Sequence, residues 1–121
     1  AYGGDILAVG RGADAEEVRA TLVSAGFWRT LGVRPALGRF FTDDEAHPAT
    51  GSRVVVLSHA FWQRRFARDP GVIGRVLAVK GLPYEIVGVA PPGFRGVELQ
   101  GADELWLPLR ARHDVATGEQ P

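Results

Sequence analysis

The chain contains two closely similar segments, and this repetition constrains its fold more than any other feature of the sequence. The first segment reads LVSAGFWRTLG over residues 22–32, and the second reads VLSHAFWQRRF over residues 56–66. In both, an apolar run ends in a serine and a Phe-Trp pair begins three residues later. A serine oxygen can accept a hydrogen bond from the first turn of a helix, and the aromatic pair gives a short helix a large area to bury. The repetition therefore predicts two strand-to-helix corners, capped by Ser24 and Ser58.

Each corner is followed by a second pair of similar motifs. RPALGRFF covers residues 34–41 and DPGVIGRVL covers residues 69–77, and both contain a proline, an aliphatic residue and then Gly-Arg. Between the first corner and its motif, Gly32 can adopt the left-handed conformation that ends a helix. We expect Arg39 and Arg75 each to begin a strand beside the core and to pair with a carboxylate or a carbonyl group.

Short β-rich runs bounded by turn residues account for most of the remaining chain. We predict strands at residues 5–9, 16–24, 53–57 and 104–109, and in both arms of a hairpin that spans 75–89 and turns at 81–83. For this second run, a helix from Ala15 to Ala25 capped by Asp14 is the alternative. The sequence TDDE at residues 42–45 is typical of a capping box and predicts a short helix. The expected fold class is α+β, with short strands in mixed or antiparallel pairing and two or three short helices.

Charge and composition exclude several classes of function. Fourteen basic residues balance fourteen acidic ones, so the chain lacks the excess of one sign that nucleic acids or anionic membranes attract. Cysteine is absent, which excludes disulfides and thiolate chemistry, and no apolar run approaches the ~20 residues of a membrane span. The length of 121 residues suits a single domain over residues 1–121, with a flexible C-terminal tail expected over 110–121.

Two motifs could support an enzyme or a nucleotide-binding module. The stretch from Gly10 to Ala15 matches the Gly-x-Gly-x-x-Ala turn of dinucleotide-binding folds, but the acidic residue required about twenty positions later is absent, and an ordinary hairpin loop explains it. Ser58 and His59 are adjacent, yet neighbouring side chains on a helix diverge and no Gly-x-Ser-x-Gly motif surrounds the serine. We therefore predict no catalytic and no cofactor-binding residues. A small soluble enzyme or nucleotide-binding module that uses Ser58 or the Gly10–Ala15 turn is the alternative function.

A group of acidic residues could also hold a divalent ion. Asp43, Asp44, Glu45 and His47 lie close together in the sequence, and carboxylate and imidazole groups are common metal ligands. The capping box already explains the acidic residues, so we predict no metal site.

A basic strip on the second aromatic helix is the remaining candidate site. Gln63, Arg64 and Arg65 lie mostly on the side of this helix opposite its aromatic residues, and Arg64, Arg65 and Arg68 form a small basic strip. Most such strips are solvated helix faces, and the alternative is contact with an acidic partner. We therefore predict these three arginines as the candidate partner-contact residues.

Taken together, the motifs resemble a known family. LGVRPALGR, LSHAFWQRRFARDPGVIGR, GLPYEIVGVAPPGF and ELWLPL occur in this order between residues 18 and 109, and the linked series is similar to the periplasmic core domain of MacB-like, FtsX-family ABC transporter permeases. Any one of these blocks alone would be weak evidence.

The resemblance implies a non-enzymatic domain on the extracytoplasmic, periplasmic face of the membrane, carried between two membrane helices of a permease. In this family a cytoplasmic ATPase drives the permease, and the core domain, which has a porter-like part and a β-rich lobe, passes the motion to a periplasmic adaptor, an envelope protein or an exported substrate. This task is called mechanotransmission. The chain then corresponds to a fragment of the domain. We expect an open sheet edge that causes self-association or is covered by the chain's own tail.

Overall fold

The structure is a computed structural model that describes residues 4–47, 51–94, 103–112 and 114. Its strands are β1 Gly4–Val9, β2 Glu16–Val23, β3 Leu37–Gly38, β4 Val54–Leu57, β5 Val76–Val79, β6 Leu82–Val89 and β7 Leu105–Pro108. Its α-helices are α1 Ala25–Leu31, α2 Asp43–Ala46 and α3 His59–Phe66. Among these described residues, no helix has the length and apolar character needed to cross a membrane.

The strands form one mixed sheet that closes into a six-stranded barrel. The order around the sheet is β3-β6-β4-β7-β2-β1-β5, and β5 also pairs with β6, which completes the ring. The β2–β7 and β4–β6 pairs are parallel and the other pairs are antiparallel. The expected α+β class with mixed strand pairing is confirmed, and residues 16–23 form a strand rather than the alternative helix.

Closure of the barrel changes the expectation of an open sheet edge. Within the described residues, β5 contacts β6 along four residue pairs and contacts β1 at the single pair Val9 and Val79. Closed barrels remove strand edges, so only the short part of β5 beyond this pair lacks a neighbour on its outer side. The expected open edge is therefore confined, within the described residues, to this part of β5, and self-association of the chain stays a prediction.

Two hydrophobic clusters lie on opposite faces of the sheet. All six barrel strands contribute to the first cluster, which therefore fills the barrel, and Phe61 of α3 packs into it. The second cluster covers the outside of β2, β4, β6 and β7 and includes Trp28 of α1 and Ala46 of α2. Consequently every residue of β4 and of β7 is buried, as expected for strands covered on both faces.

Local turn chemistry agrees with most of the sequence predictions and corrects two of them. The β5–β6 hairpin turns at Lys80 and Gly81, both with positive φ, which is the geometry of a two-residue type I′ turn. Leu82 and Pro83, predicted to lie in the turn, instead begin β6. Arg75 precedes β5 as expected, whereas Arg39 follows the short strand β3 instead of beginning a strand.

The capping box of α2 is present. The Thr42 hydroxyl accepts a hydrogen bond from the main-chain N–H of Glu45, and the Glu45 carboxylate accepts one from the N–H of Thr42. Arg39 donates to both oxygens of the same carboxylate at 2.7 and 2.8 Å. The predicted pairing of Arg39 with a carboxylate is thus confirmed, and it ties α2 to the chain that leaves β3.

Candidate functional site

The two aromatic corners bury opposite members of their Phe-Trp pairs. In the first corner Trp28 is only 3% exposed, and in the second corner Phe61 is fully buried, while Phe27 and Trp62 are partly exposed. The reason lies in the preceding strands. Val23 faces the outer cluster whereas Leu57, at the equivalent position, faces the barrel interior, and side chains alternate between the two faces of a strand.

The serine caps also differ between the corners. Ser58 Oγ accepts a hydrogen bond from the N–H of Phe61 at 3.0 Å, as predicted for a helix cap. Ser24 occupies the N-cap position of α1 but makes no capping hydrogen bond with its side chain, so the prediction for Ser24 was wrong. The backbone of Ser24 has the extended conformation of an N-cap residue, like that of Ser58. The two corners therefore share the backbone geometry of the cap but not the hydrogen bond of the hydroxyl group.

Ser58 does not form a nucleophile–base pair with its neighbour. Both Ser58 and His59 line a cavity of about 390 Å³ together with Phe94 and Asp103, but no hydrogen bond joins their side chains. The His59 ring instead packs edge-on against Trp62, with ring centroids 5.2 Å apart. A serine nucleophile needs a base within hydrogen-bond reach, and this corner does not supply one.

The Gly10–Ala15 turn connects two antiparallel strands. Its centre forms a single 3-10 turn over Gly12–Asp14 between β1 and β2, so the predicted hairpin loop is confirmed. A dinucleotide-binding turn requires a strand followed by a helix and a parallel strand, and that arrangement is absent here. In the described part of the chain, no three His, Cys, Asp or Glu side chains are grouped so that they could hold a metal ion.

Two arginines of the predicted basic strip cross-link α3 to the barrel. Arg64 donates to Glu16 of β2 at 2.8 Å and also to Glu104, which precedes β7, while Arg65 donates to the other oxygen of Glu16 at 2.9 Å. The hydrogen bond from Arg64 lowers the pKa of Glu16 below its usual value, and the same contact raises the pKa of Arg64.

Arg68 differs from the other two members of the strip. It lies beyond the C-terminus of α3, is exposed, and has a positive φ of 59°. The strip therefore divides into two arginines that hold the helix in place and one that faces solvent. A contact of Arg64, Arg65 and Arg68 with a partner stays a prediction.

A partly buried polar cluster that the sequence reasoning missed attaches the segment after β7 to the barrel. Asp114 accepts hydrogen bonds from the Tyr84 hydroxyl at 2.6 Å, from Arg53 Nε at 2.8 Å and from Arg110 at 2.7 Å. Burial raises the pKa of the Tyr84 hydroxyl above its usual value. Burial also acts to raise the pKa of Asp114, but the hydrogen bonds from Arg53 and Tyr84 outweigh it and leave that pKa below its usual value.

This cluster bears on the tail predicted over residues 110–121. Within that range, Ala111 is buried and Asp114 contacts the barrel, while residues 115–121 lie outside the described residues, for which the flexible tail stays a prediction. The only sequence signal for the cluster was the spacing of Arg110 and Asp114, which places them on adjacent turns of a helix. Tyr84 and Arg53 are 30 and 61 residues from Asp114, and local patterns carry no information at that distance.

Comparison with known proteins identifies what the chain is similar to. The family described as the MacB-like periplasmic core domain matches residues 2–120. The macrolide export ATP-binding/permease protein MacB of Chromobacterium violaceum is 29% identical over 109 residues, which are 86% of this chain and 16% of that protein. The chain thus spans about a sixth of the length of this relative.

Solved structures show the same fold. The extracellular domain of the ABC-type transporter YknZ from Gram-positive bacteria superposes with a TM-score of 0.74 at 18% identity, covering 98% of this chain and 57% of that one. The periplasmic region of MacB from Actinobacillus actinomycetemcomitans gives a TM-score of 0.73 at 17% identity, covering 96% of this chain and 50% of that one.

Proposed function

Because the chain belongs to the family of MacB-like periplasmic core domains, we propose that it couples ATP-driven motion of a transporter to export or to partners outside the membrane. The chain is a non-catalytic periplasmic or extracellular domain of a MacB-like ABC transporter permease. We propose that the parent permease's membrane helices and a cytoplasmic ATPase supply the motion, and that a periplasmic adaptor or envelope protein receives it. Neither proposal requires a reactive residue in the domain.

The closed barrel is the observation that best supports this coupling role. A domain that transmits displacement should resist local opening, which depends on buried apolar contacts. Here the barrel interior is filled by side chains from all six strands, and α1 and α2 cover its outer face. Arg64 forms ion pairs with Glu16 and with Glu104, and these attach α3 to the barrel. Such a body should move as one unit.

Distance measurements in the parent permease test this proposal. The chain contains no cysteine, so spin labels can be placed at Thr30→Cys on α1 and Gln63→Cys on α3, both exposed positions. We expect the distance between these labels to be the same without nucleotide and with ATP bound, because both helices are attached to one barrel. A third label on a membrane helix of the permease should change its distance to Gln63→Cys when ATP binds.

Two results would contradict the coupling role. A shift of several ångströms between the α1 and α3 labels would show that the domain deforms rather than transmits the motion. Constant distances from the domain to the membrane helix through the whole ATP cycle would show that no motion reaches it. A Thr30→Cys protein labelled alone, compared for ATPase activity with the unlabelled permease, controls for damage by the label.

A further inference from the structure

A groove lies between the end of α3 and the outer side of β5. It has a volume of about 720 Å³ and is lined by Gly10, Arg11, Arg65, Phe66, Ala67, Arg75, Val76, Leu77 and Ala78. We call it the β5 groove. Among the described residues its lining contains three arginines and no carboxylate, although the chain as a whole has equal numbers of acidic and basic residues. Two of these arginines are ion-paired, Arg65 with Glu16 and Arg75 with Asp69, but a guanidinium carries five N–H donors and can donate to a further carboxylate.

One wall of the groove is an unpaired strand edge. The N–H of Ile86 donates to the carbonyl of Arg75, which makes Val76 and Glu85 a non-hydrogen-bonded pair of the antiparallel ladder. In such a pair the main-chain N–H and C=O point away from the partner strand, so those of Val76 point away from β6 and toward the outer edge. Within the described residues no strand pairs with Val76 on that edge. Its side chain is 65% exposed, the largest value among the exposed large hydrophobic residues described.

Among the described residues, the segment beside this edge turns away from it. After the Val9–Val79 contact, the N–H of Gly10 donates to the carbonyl of Ala78 at 2.8 Å, and Arg11 then turns into the loop before β2. An unpaired edge with its N–H and C=O groups exposed accepts an extended peptide as an additional strand. A peptide there would continue the ladder that β1 begins along β5.

The arginines on both sides are held near this edge before any partner binds. The Arg75 guanidinium lies over the Phe66 ring at 5.4 Å from its centroid and 3.6 Å from the carboxylate of Asp69, and Arg65 is anchored by Glu16. Arg11 reaches the carbonyl of Gly81 at 3.5 Å. Side chains that are already ordered lose less conformational freedom on binding.

The segment that ends α3 also borders the groove. Ala67 and Arg68 are consecutive non-glycine residues with positive φ, 52° and 59°, a conformation that costs roughly 1–2 kcal/mol per residue. A left-handed residue is a common way for a helix to end, and Ala67 is the C-cap of α3. Ala67 lines the β5 groove and Arg68 lies next to it in the chain.

We propose that the β5 groove binds an extended, acidic peptide segment of a partner protein, which pairs with Val76 and places carboxylates beside Arg11, Arg65 and Arg75. The proposal deepens the proposed function, because it gives the coupling domain a point of attachment for a partner. Binding of a peptide does not require that the domain transmits motion. Failure of the binding test and failure of the spin-label test are therefore distinguishable.

A pair of synthetic peptides tests the charge requirement. A blocked nonapeptide of alternating Glu and Thr is the probe, and the same peptide with Lys in place of Glu is the control, both measured with the 121-residue chain by NMR titration at low salt. We expect the Glu peptide to shift the amide signals of residues 75–78 and the Lys peptide to bind at least tenfold more weakly. The double variant Arg11→Glu/Arg75→Glu should weaken binding of the Glu peptide about tenfold, since each exposed ion pair contributes modestly. Arg34→Glu, at an exposed arginine outside the groove, should leave it unchanged.

Substitutions at the strand edge test the binding mode. Val76→Pro removes only an N–H that points away from β6, so the β5–β6 hairpin should form and unfold as in the parent chain while peptide affinity falls at least fivefold. Val76→Thr keeps the N–H and should retain binding. Equal affinity for the Glu and Lys peptides, unchanged affinity in Val76→Pro, or signal shifts that map to a dimer of the chain and do not respond to peptide would each overturn the proposal. If Val76→Pro does not fold, hydrogen exchange in the unsubstituted chain decides the binding mode. The Glu peptide should then protect the Val76 amide from exchange, and an absence of protection overturns the proposal.

Discussion

Replacement of Trp28 measures how much the outer aromatic cluster stabilises the domain. Trp28 stacks on Phe40 with ring centroids 4.1 Å apart and planes 9° from parallel, and it contacts Trp106 edge-on at 5.6 Å. It is 3% exposed, so Trp28→Ala would remove nearly the whole buried area of an indole from a site between α1 and the sheet.

The expected loss of stability follows from this burial. A buried tryptophan covers roughly 150–250 Å², which at about 25 cal/mol per Å² corresponds to roughly 4–6 kcal/mol, and large-to-small replacements of this type cost about 3–5 kcal/mol. The indole N–H of Trp28 has no hydrogen-bond partner among the described residues, and an unpaired buried donor costs about 1–3 kcal/mol. We therefore expect Trp28→Ala to lower the free energy of unfolding by about 3–4 kcal/mol, a large part of the stability of a typical domain.

Trp28→Phe separates ring packing from hydrogen bonding. Phenylalanine keeps an aromatic surface against Phe40 and removes the unpaired N–H, so we expect a loss of only about 1 kcal/mol. Urea unfolding followed by circular dichroism measures all three proteins without dependence on tryptophan fluorescence. A loss below 1 kcal/mol for Trp28→Ala would show that the ring is not in the core. Equal losses for Trp28→Ala and Trp28→Phe would show that the N–H makes an essential hydrogen bond.

Three further predictions concern the helix caps and the carboxylate cluster. Ser58→Ala should cost about 1 kcal/mol because it removes the cap of α3, whereas Ser24→Ala should cost almost nothing, and equal costs in urea unfolding would refute this difference. Ala67→Gly should raise stability by about 0.5–1 kcal/mol by relieving the left-handed residue that ends α3, and a lower melting temperature would contradict the assigned conformation. The lowered pKa of Asp114 means that its contribution is complete above its unfolded pKa of about 4 and is lost as pH falls through the lower folded value. Unfolding measured between about pH 5 and pH 2 should therefore show a steeper decline for the parent chain than for Asp114→Asn, and parallel curves would refute the role of the carboxylate.

Several local features could be predicted from the sequence because their determinants lie within a few residues of each other. The capping box at Thr42 and Glu45, the cap at Ser58 and the left-handed Gly32 depend on contacts within one turn of helix. The β1–β2 and β5–β6 hairpins follow from apolar periodicity and short connections. The exact turn at Lys80 was missed, because a lysine with positive φ is unusual and the glycine and proline that follow it were stronger signals.

The candidate site was less predictable than the fold. The partners of Arg64 lie 48 and 40 residues away at Glu16 and Glu104, and no local pattern indicates that an exposed-looking arginine belongs to an ion-pair network. The β5 groove was missed for the same reason, since Arg11 and Arg75 are far apart in the chain and line one groove only in the folded domain. Its residues carry no motif that distinguishes them from ordinary surface arginines.

The amino-acid sequence by itself determined the two corners, the hairpins, the helix caps at Thr42 and Ser58 and the membership of a family, because each rests on neighbouring residues or on an ordered series of motifs. Only the tertiary structure decided which face of the sheet each corner covers. Val23 pairs with Pro108 of β7 and Leu57 pairs with Leu105, and these two β7 positions are three residues apart and face opposite sides. Equivalent positions in the two repeats therefore face opposite sides, and one corner buries its tryptophan where the other buries its phenylalanine. Closure of the barrel was likewise decided only by the tertiary structure, because pairing between strands far apart in the chain is set by packing of the whole core rather than by local preference.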